Sequence, residues 1–321
     1  MMTPTIVAGS YDGTLEPVLQ GHAVEGLVEE STYLWGLFRT RSARPDVFQV
    51  MRRMAHGAAW PARLLLNSNV GTNGMVRHRI DRTAARSTDI IRRSIPSGVE
   101  LSAPGAESEP LRFAIEDARA HWSEGGILQI EGEEVRPGLQ WCLLPSPGGN
   151  GMRYTSRIFL VQGQIDDVEV DGFIGMDAVH LQPGHHNYVD DPITAGHLSS
   201  AWCTWATAYD DGTVEAGHAA FGPNGFGFAL RADADTAYVG ETVSGTSTAN
   251  AEGFPTHITF DIHDGSAVDK WEFHADPTAL PLEPLPGPVR QAEGVFRRVG
   301  ETRQPVVWCA TPEVPATQRK P

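Results

Sequence analysis

The chain reads as an all-β protein that closes into barrels or sandwiches. Three observations carry this reading. Apolar runs with period-two alternation recur along its length, separated by turn residues. Asp-Gly pairs sit between alternating runs at Asp211-Gly212 and Asp264-Gly265, a strong short-range hairpin signal. Glycine (34) and proline (23) are abundant, which suits a turn-rich chain better than a helical one.

The elements follow in order. "STYLWGLFRT" (31–40) opens the strand series. "PDVFQVMRRMAHGAA" (45–59) sets Phe48, Met51 and Met54 at helical spacing and is the clearest helix candidate. "WPARLLLNSNV", the turn "GTNG" and "MVRHRID" (60–81) read as two strands around a tight turn. "LRFAIEDARAHW" (111–122) fits a helix or a strand. "ILQIEGEEV" and "LQWCLL" are strands, and "SPGGNG" leads into the long strand "MRYTSRIFLVQGQI" (152–165). Hairpins follow at 199–222 and 256–276, then "RQAEGVFRRVG" and "QPVVWCATPE". Polar connections span 100–110 and 183–200. A boundary at about 185–198 divides the chain into units 1–185 and 186–321. Each unit then holds roughly eight strands, more than one twisted open sheet tolerates, so closure is the expected solution. Few short helices are expected.

Composition narrows the function. The 321 residues, 40% of them hydrophobic, can bury a large core. The net charge of −15 repels phosphate backbones, which argues against nucleic acid as a partner. The basic stretch 76–94 alternates with Ile and Val and suits the solvated face of a strand pair. No apolar run reaches membrane-span length, and the N-terminus lacks a basic region followed by an apolar one. A cytoplasmic protein without a transmembrane segment is expected, and a homodimer is compatible with the chain. Cys142, Cys203 and Cys309 are scattered, form no CxxC pair, and read as free buried thiols.

The stretch "GFIGMDAVHLQPGHHNYVDD" (172–191) is the most chemical in the chain. Its adjacent His185 and His186 would point to opposite faces of a strand. With His180 they could bind a metal only if the Pro-Gly turn folded them together; a polar connection is the plainer reading, and no metal is assigned. Asp177 differs. It lies inside an apolar run, where its ionised form would be poorly solvated and its pKa raised. Such an acid can deliver a proton to an alkene or a leaving hydroxyl; the competing reading is a carboxylate that caps backbone groups. Trp202, Trp205 and Tyr209 line one later strand, and Tyr154 an earlier one. They are candidate walls of an apolar cavity, or plain core. Parity puts Trp205 and Tyr209 on one face and Trp202 on the other. His218, among small residues, is a candidate partner for the acid. No dinucleotide fingerprint, P-loop or nucleophile elbow is present, and no cofactor is expected.

Residues 139–180 carry a Trp-bearing strand, a hairpin, a Tyr-x-Ser strand, then V-x-V-D-G and Gly172-x-x-x-x-Asp177. With the Trp205 to Asp211-Gly212 hairpin and the closing "RQAEGVFRRVGE", this resembles the tandem lipocalin-like family of carotenoid 1,2-hydratases (hydroxyneurosporene synthases). Its relatives include kievitone hydratases, tocopherol-cyclase-like proteins and some Diels–Alderases. The family element is usually followed by an aromatic; here "AVHLQPGHH" follows, so His180 stands in that place or the chemistry differs. The resemblance implies two tandem lipocalin-like β-barrel or sandwich domains. It also implies cofactor-free chemistry on a hydrophobic terpenoid, polyketide or phenolic: hydration, dehydration, isomerisation or cyclisation. Asp177 would be the acid. His180 or His218 would position water or take the proton back. Tyr154, Trp202, Trp205 and Tyr209 would contact substrate. A non-catalytic carrier of such a molecule, or a metal-dependent enzyme using His180, His185 and His186, are the alternatives.

Overall fold

The computed structural model describes residues 5–11, 26–42, 45–55, 64–68, 77–80, 91–103, 111–124, 126–144, 151–196, 198–233, 236–240, 242–265, 267–277 and 289–315. The "GTNG" turn, most of the first polar connection, part of the basic stretch and the tail after residue 315 lie outside them.

The first twelve strands are β1 (Ile6–Tyr11), β2 (Val28–Thr40), β3 (Val47–Ala55), β4 (Leu64–Ser68), β5 (Arg77–Ile80), β6 (Ile91–Ile95), β7 (Gly98–Ala103), β8 (Leu111–Glu116), β9 (Arg119–Glu124), β10 (Leu128–Leu143), β11 (Met152–Ile165) and β12 (Val168–Leu181). They form one antiparallel sheet in the order β5-β4-β3-β2-β12-β11-β10-β9-β8-β7-β6, with β1 beside β10. The sheet curls on itself. Phe48 and Val50 of β3 share a core with Phe113 of β8 and Trp122 of β9, though four strands separate β3 from β9 in the sheet.

The remaining strands are β13 (Ala201–Tyr209), β14 (Val214–Phe221), β15 (Gly227–Asp233), β16 (Thr236–Gly240), β17 (Thr242–Ala249), β18 (Pro255–Asp264), β19 (Ala267–Ala275), β20 (Val289–Gln291), β21 (Gly294–Arg298) and β22 (Pro305–Pro315). They make a six-stranded sheet, β16-β15-β14-β13-β22-β20, and a four-stranded one, β17-β18-β19-β21. Between these two lies a second core with Trp205, Phe260, Trp271, Phe273 and Phe296. A third apolar layer, including Tyr33, Trp141, Val179, Trp202 and Phe228, joins the outer face of the large sheet to the six-stranded sheet.

The all-β expectation holds; among the described residues the only helical element is a single 3₁₀ turn, Pro223–Gly225. Where it is described, the helix expected at 45–59 is instead strand β3, Val47–Ala55; residues 56–59 lie outside the described residues. Phe48, Val50 and Met54 alternate into the first core, and this period-two signal outweighs the three-residue spacing of Phe48, Met51 and Met54. The ambiguous 111–122 stretch is the β8–β9 hairpin, turned by Asp117 and Ala118 at φ of 48° and 66°. Cys203 and Cys309 are buried free thiols, as expected, and Cys142 is half-buried. No helix of the described residues is long and apolar enough to cross a membrane.

Candidate functional site

Strand alternation on β12 turns Phe173, Gly175, Asp177 and Val179 outward from the first core, toward the six-stranded sheet. Register then supplies the surroundings of Asp177. Ser156 of β11 is directly opposite, Tyr154 is two residues along, and Trp35 of β2 pairs with Gly175. Tyr154 and Trp35 each donate to Oδ2 at 2.5 Å, and Ser156 donates to Oδ1 at 2.6 Å. All three donors are neutral. Gly175 is required for this arrangement: a Cβ there would lie 2.3 Å from Cε2 of the Trp35 indole. Burial pushes the Asp177 carboxyl up to about 6, against the opposing pull of Ser156, Tyr154 and Trp35.

Asp177 lies on the wall of a cavity of about 80 Å³ between the large sheet and the six-stranded sheet. Trp141 and Tyr154 stack at 5.4 Å and 7° on one wall, and the Trp202 ring meets each edge-on at 5.4 Å. A second buried carboxyl, Glu313 of β22, faces the same space. Its Oε1 accepts from Tyr188 at 2.8 Å and from Gln291 at 2.7 Å. Burial pushes Glu313 up to about 7; Tyr188 and Gln291 oppose this, and the Asp191 and Asp177 charges reinforce it. Tyr188 comes from the 183–200 connection, which also brings Asn187, Asp191, Ile193 and Thr194 to the cavity. Asp191 holds that loop by accepting from the Tyr188 and Thr194 amides at 2.8 and 2.7 Å.

The structure therefore brings together Asp177, Tyr154 and Trp202 and leaves others apart. His218 borders the group: its ring stacks on Trp202 at 5.1 Å, and its Nδ1 is 3.0 Å from the Thr204 hydroxyl. Its Nε2 is buried and unpartnered, and burial drives its pKa down to about 3, so the ring is neutral. His180 is on the opposite face of β12 from Asp177 and does not line the cavity. Burial lowers it to about 4. Trp205 points into the second core against Trp271 and Phe296, at 5.0 and 5.1 Å. Tyr209 donates to Glu215 at 3.3 Å beneath the Arg303 guanidinium, away from the cavity. His180, His185 and His186 do not converge as a ligand set among the described residues.

Sequence reasoning missed Trp35, Trp141, Ser156, Tyr188 and Glu313. Glu313 carried the signal that marked Asp177, a carboxylate in an otherwise apolar strand. Tyr188 was hidden in a segment read as a mere connection. Trp35 could be found only through strand register.

No family model and no curated protein matches the sequence. Solved structures do match the fold. A candidate AttH protein from Nitrosomonas europaea aligns over 94% of this chain and 97% of its own, with a TM-score of 0.51 and 15% identity. Kievitone hydratase from Nectria haematococca aligns over 96% and 97%, with a TM-score of 0.45 and 12% identity. The AttH likeness shows the fold, and it agrees with the tandem lipocalin-like architecture implied by the resemblance over roughly residues 125–300.

Proposed function

We propose that the protein is a cofactor-independent lyase or isomerase, a hydratase, dehydratase or cyclase acting on an apolar terpenoid, polyketide or phenolic. The observation that carries this is Asp177. It is buried on the wall of an aromatic cavity, held by three neutral donors, with its proton affinity raised into the working range of a general acid-base group. A carboxylate kept for structure would meet a cation or cap backbone amides; its three partners are side-chain donors without charge.

Glu313 completes the pair. Burial raises both carboxyls, and the Asp177 charge adds a little to the rise of Glu313, so each can exchange a proton near neutral pH. In the dehydration direction the Asp177 carboxylate takes a proton from carbon. The C–H electron pair becomes the new double bond. Glu313 protonates the departing hydroxyl, which leaves as water. In the hydration direction protonated Asp177 gives its proton to the alkene, and the Glu313 carboxylate takes one from the incoming water. The faces of Trp141, Tyr154 and Trp202 stabilise positive charge that develops on carbon. Neutral His218 holds the hydroxyl of Thr204, which lines the cavity. The same reading treats 1–185 and 186–321 as the two units between which the cavity is built; strands β1 to β12 end at Leu181 and β13 begins at Ala201.

The test starts with mass spectrometry of hydrophobic ligands that co-purify with the chain. Turnover of the ligand found is then compared in wild type and Asp177→Asn. Lost turnover with retained binding supports the reading. Unchanged turnover overturns it, and binding without turnover in the wild type makes the protein a carrier.

A further inference from the structure

A second constellation lies far along the chain from Asp177, on the four-stranded sheet. On β19, Glu272 and His274 are two residues apart and so share a face. On β18, His257 is the register partner of His274. The three side chains therefore stand together on the outward side of one hairpin, partly open to solvent at 37%, 21% and 48% for His257, Glu272 and His274. One ligand atom from each lies within 4.8 Å of the others. The Glu272 Oε2 is 3.1 Å from His274 Nε2 and 3.7 Å from His257 Nε2.

These separations have a chemical meaning. Zinc bound at about 2.0–2.1 Å in tetrahedral geometry sets neighbouring ligand atoms roughly 3.3 Å apart. Two edges of this triangle already bracket that length. The imidazoles stack at 4.5 Å and 29°, so their rings run side by side rather than diverging. His257 Nε2 is buried and makes no hydrogen bond. It stands 3.7 Å from Glu272 Oε2, a gap an intervening ion would fill, and the hydrogen bond between His274 and Glu272 is what that ion would replace. Arg297 competes for Glu272, 3.6 Å from Oε1, yet leaves Oε2 to the histidines.

We propose that His257, Glu272 and His274 form a surface site for a divalent transition metal ion, zinc by geometry, with the fourth position left to water. Two imidazoles and one carboxylate suit a borderline ion rather than calcium or magnesium, which take oxygen ligands. The ion would pin β18 to β19. This is independent of the cavity and its proposed chemistry.

The test is isothermal titration of the full chain with zinc chloride in a chelator-free buffer. One equivalent is expected to bind, and the melting temperature should rise as zinc is added. His257→Ala and His274→Ala each remove a ligand and should weaken binding roughly tenfold or more, at least what the loss of an outer-shell partner costs. Glu272→Gln keeps the side-chain shape and decides the question if an alanine variant fails to fold. Unchanged affinity in these variants, loss of binding only in a His185→Ala/His186→Ala variant, or no binding below about 100 µM zinc overturns the proposal.

Discussion

Glu124 and Asp177 are both buried carboxylates of the large sheet, one inside its curl and one on its outer face. Glu124 meets a cation. Arg52, fully buried across the first core, reaches it through Nη2 and through Nε at 3.0 Å, and Trp122 adds a donor at 3.3 Å. Burial lowers Arg52 only to about 10, so the guanidinium stays charged at neutral pH. Asp177 meets three neutral donors and a cavity. A carboxylate matched by a cation is fixed in one protonation state; one matched by neutral donors can exchange its proton. The comparison teaches that burial alone does not mark a candidate site, whereas burial without a counter-charge, beside open space, does.

Four experiments break or sharpen this contrast. The largest effect is expected at Asp177. Asparagine there should lower turnover of the identified substrate by about 10²–10⁴-fold while the fold persists; single-turnover kinetics read it. Arg52→Met should act on folding, because it strands the Glu124 charge. A loss of about 3–5 kcal/mol in denaturant-derived stability is expected, and a loss under 1 kcal/mol would undo the contrast.

The third experiment uses pH. Asp177 has a folded pKa of about 6 against an ordinary 3.8. A raised carboxyl contributes stability that is fully present below 3.8 and lost as pH rises through 6. From pH 4 to pH 8 the wild type should therefore lose stability relative to Asp177→Asn, by on the order of 3 kcal/mol. Parallel curves for the two proteins would mean that Asp177 is not raised. The smallest effect belongs to Tyr154→Phe, which deletes one of three donors. The carboxyl should titrate higher by up to roughly one pH unit, visible in the carboxyl carbon resonance of labelled protein.

Much of this was legible in the sequence. Asp-Gly turns and alternation gave the all-β class, and the apolar setting of Asp177 singled it out. Parity on β13 separated Trp202 from Trp205 correctly, without telling which faced the cavity. That depends on which sheet packs on which face, and no local pattern encodes it. The donors to Asp177 were illegible for a related reason: Trp35 lies 142 residues away and meets it only through the pairing of β2 with β12. His180 is close to Asp177 in sequence, but three residues along a strand is the opposite face.

Gly175 has a consequence for design. The indole that restrains the proton affinity of Asp177 lies across the bare backbone of this residue, where a single methyl group has no room. The acid strength of the cavity is thus adjustable from a position with no polar atom in its side chain. Enlarging residue 175 while trimming Trp35 would retune the carboxyl and reshape the pocket floor together. A laboratory seeking altered pH dependence or a bulkier ligand could therefore vary these two positions as one unit and leave every titrating group in place.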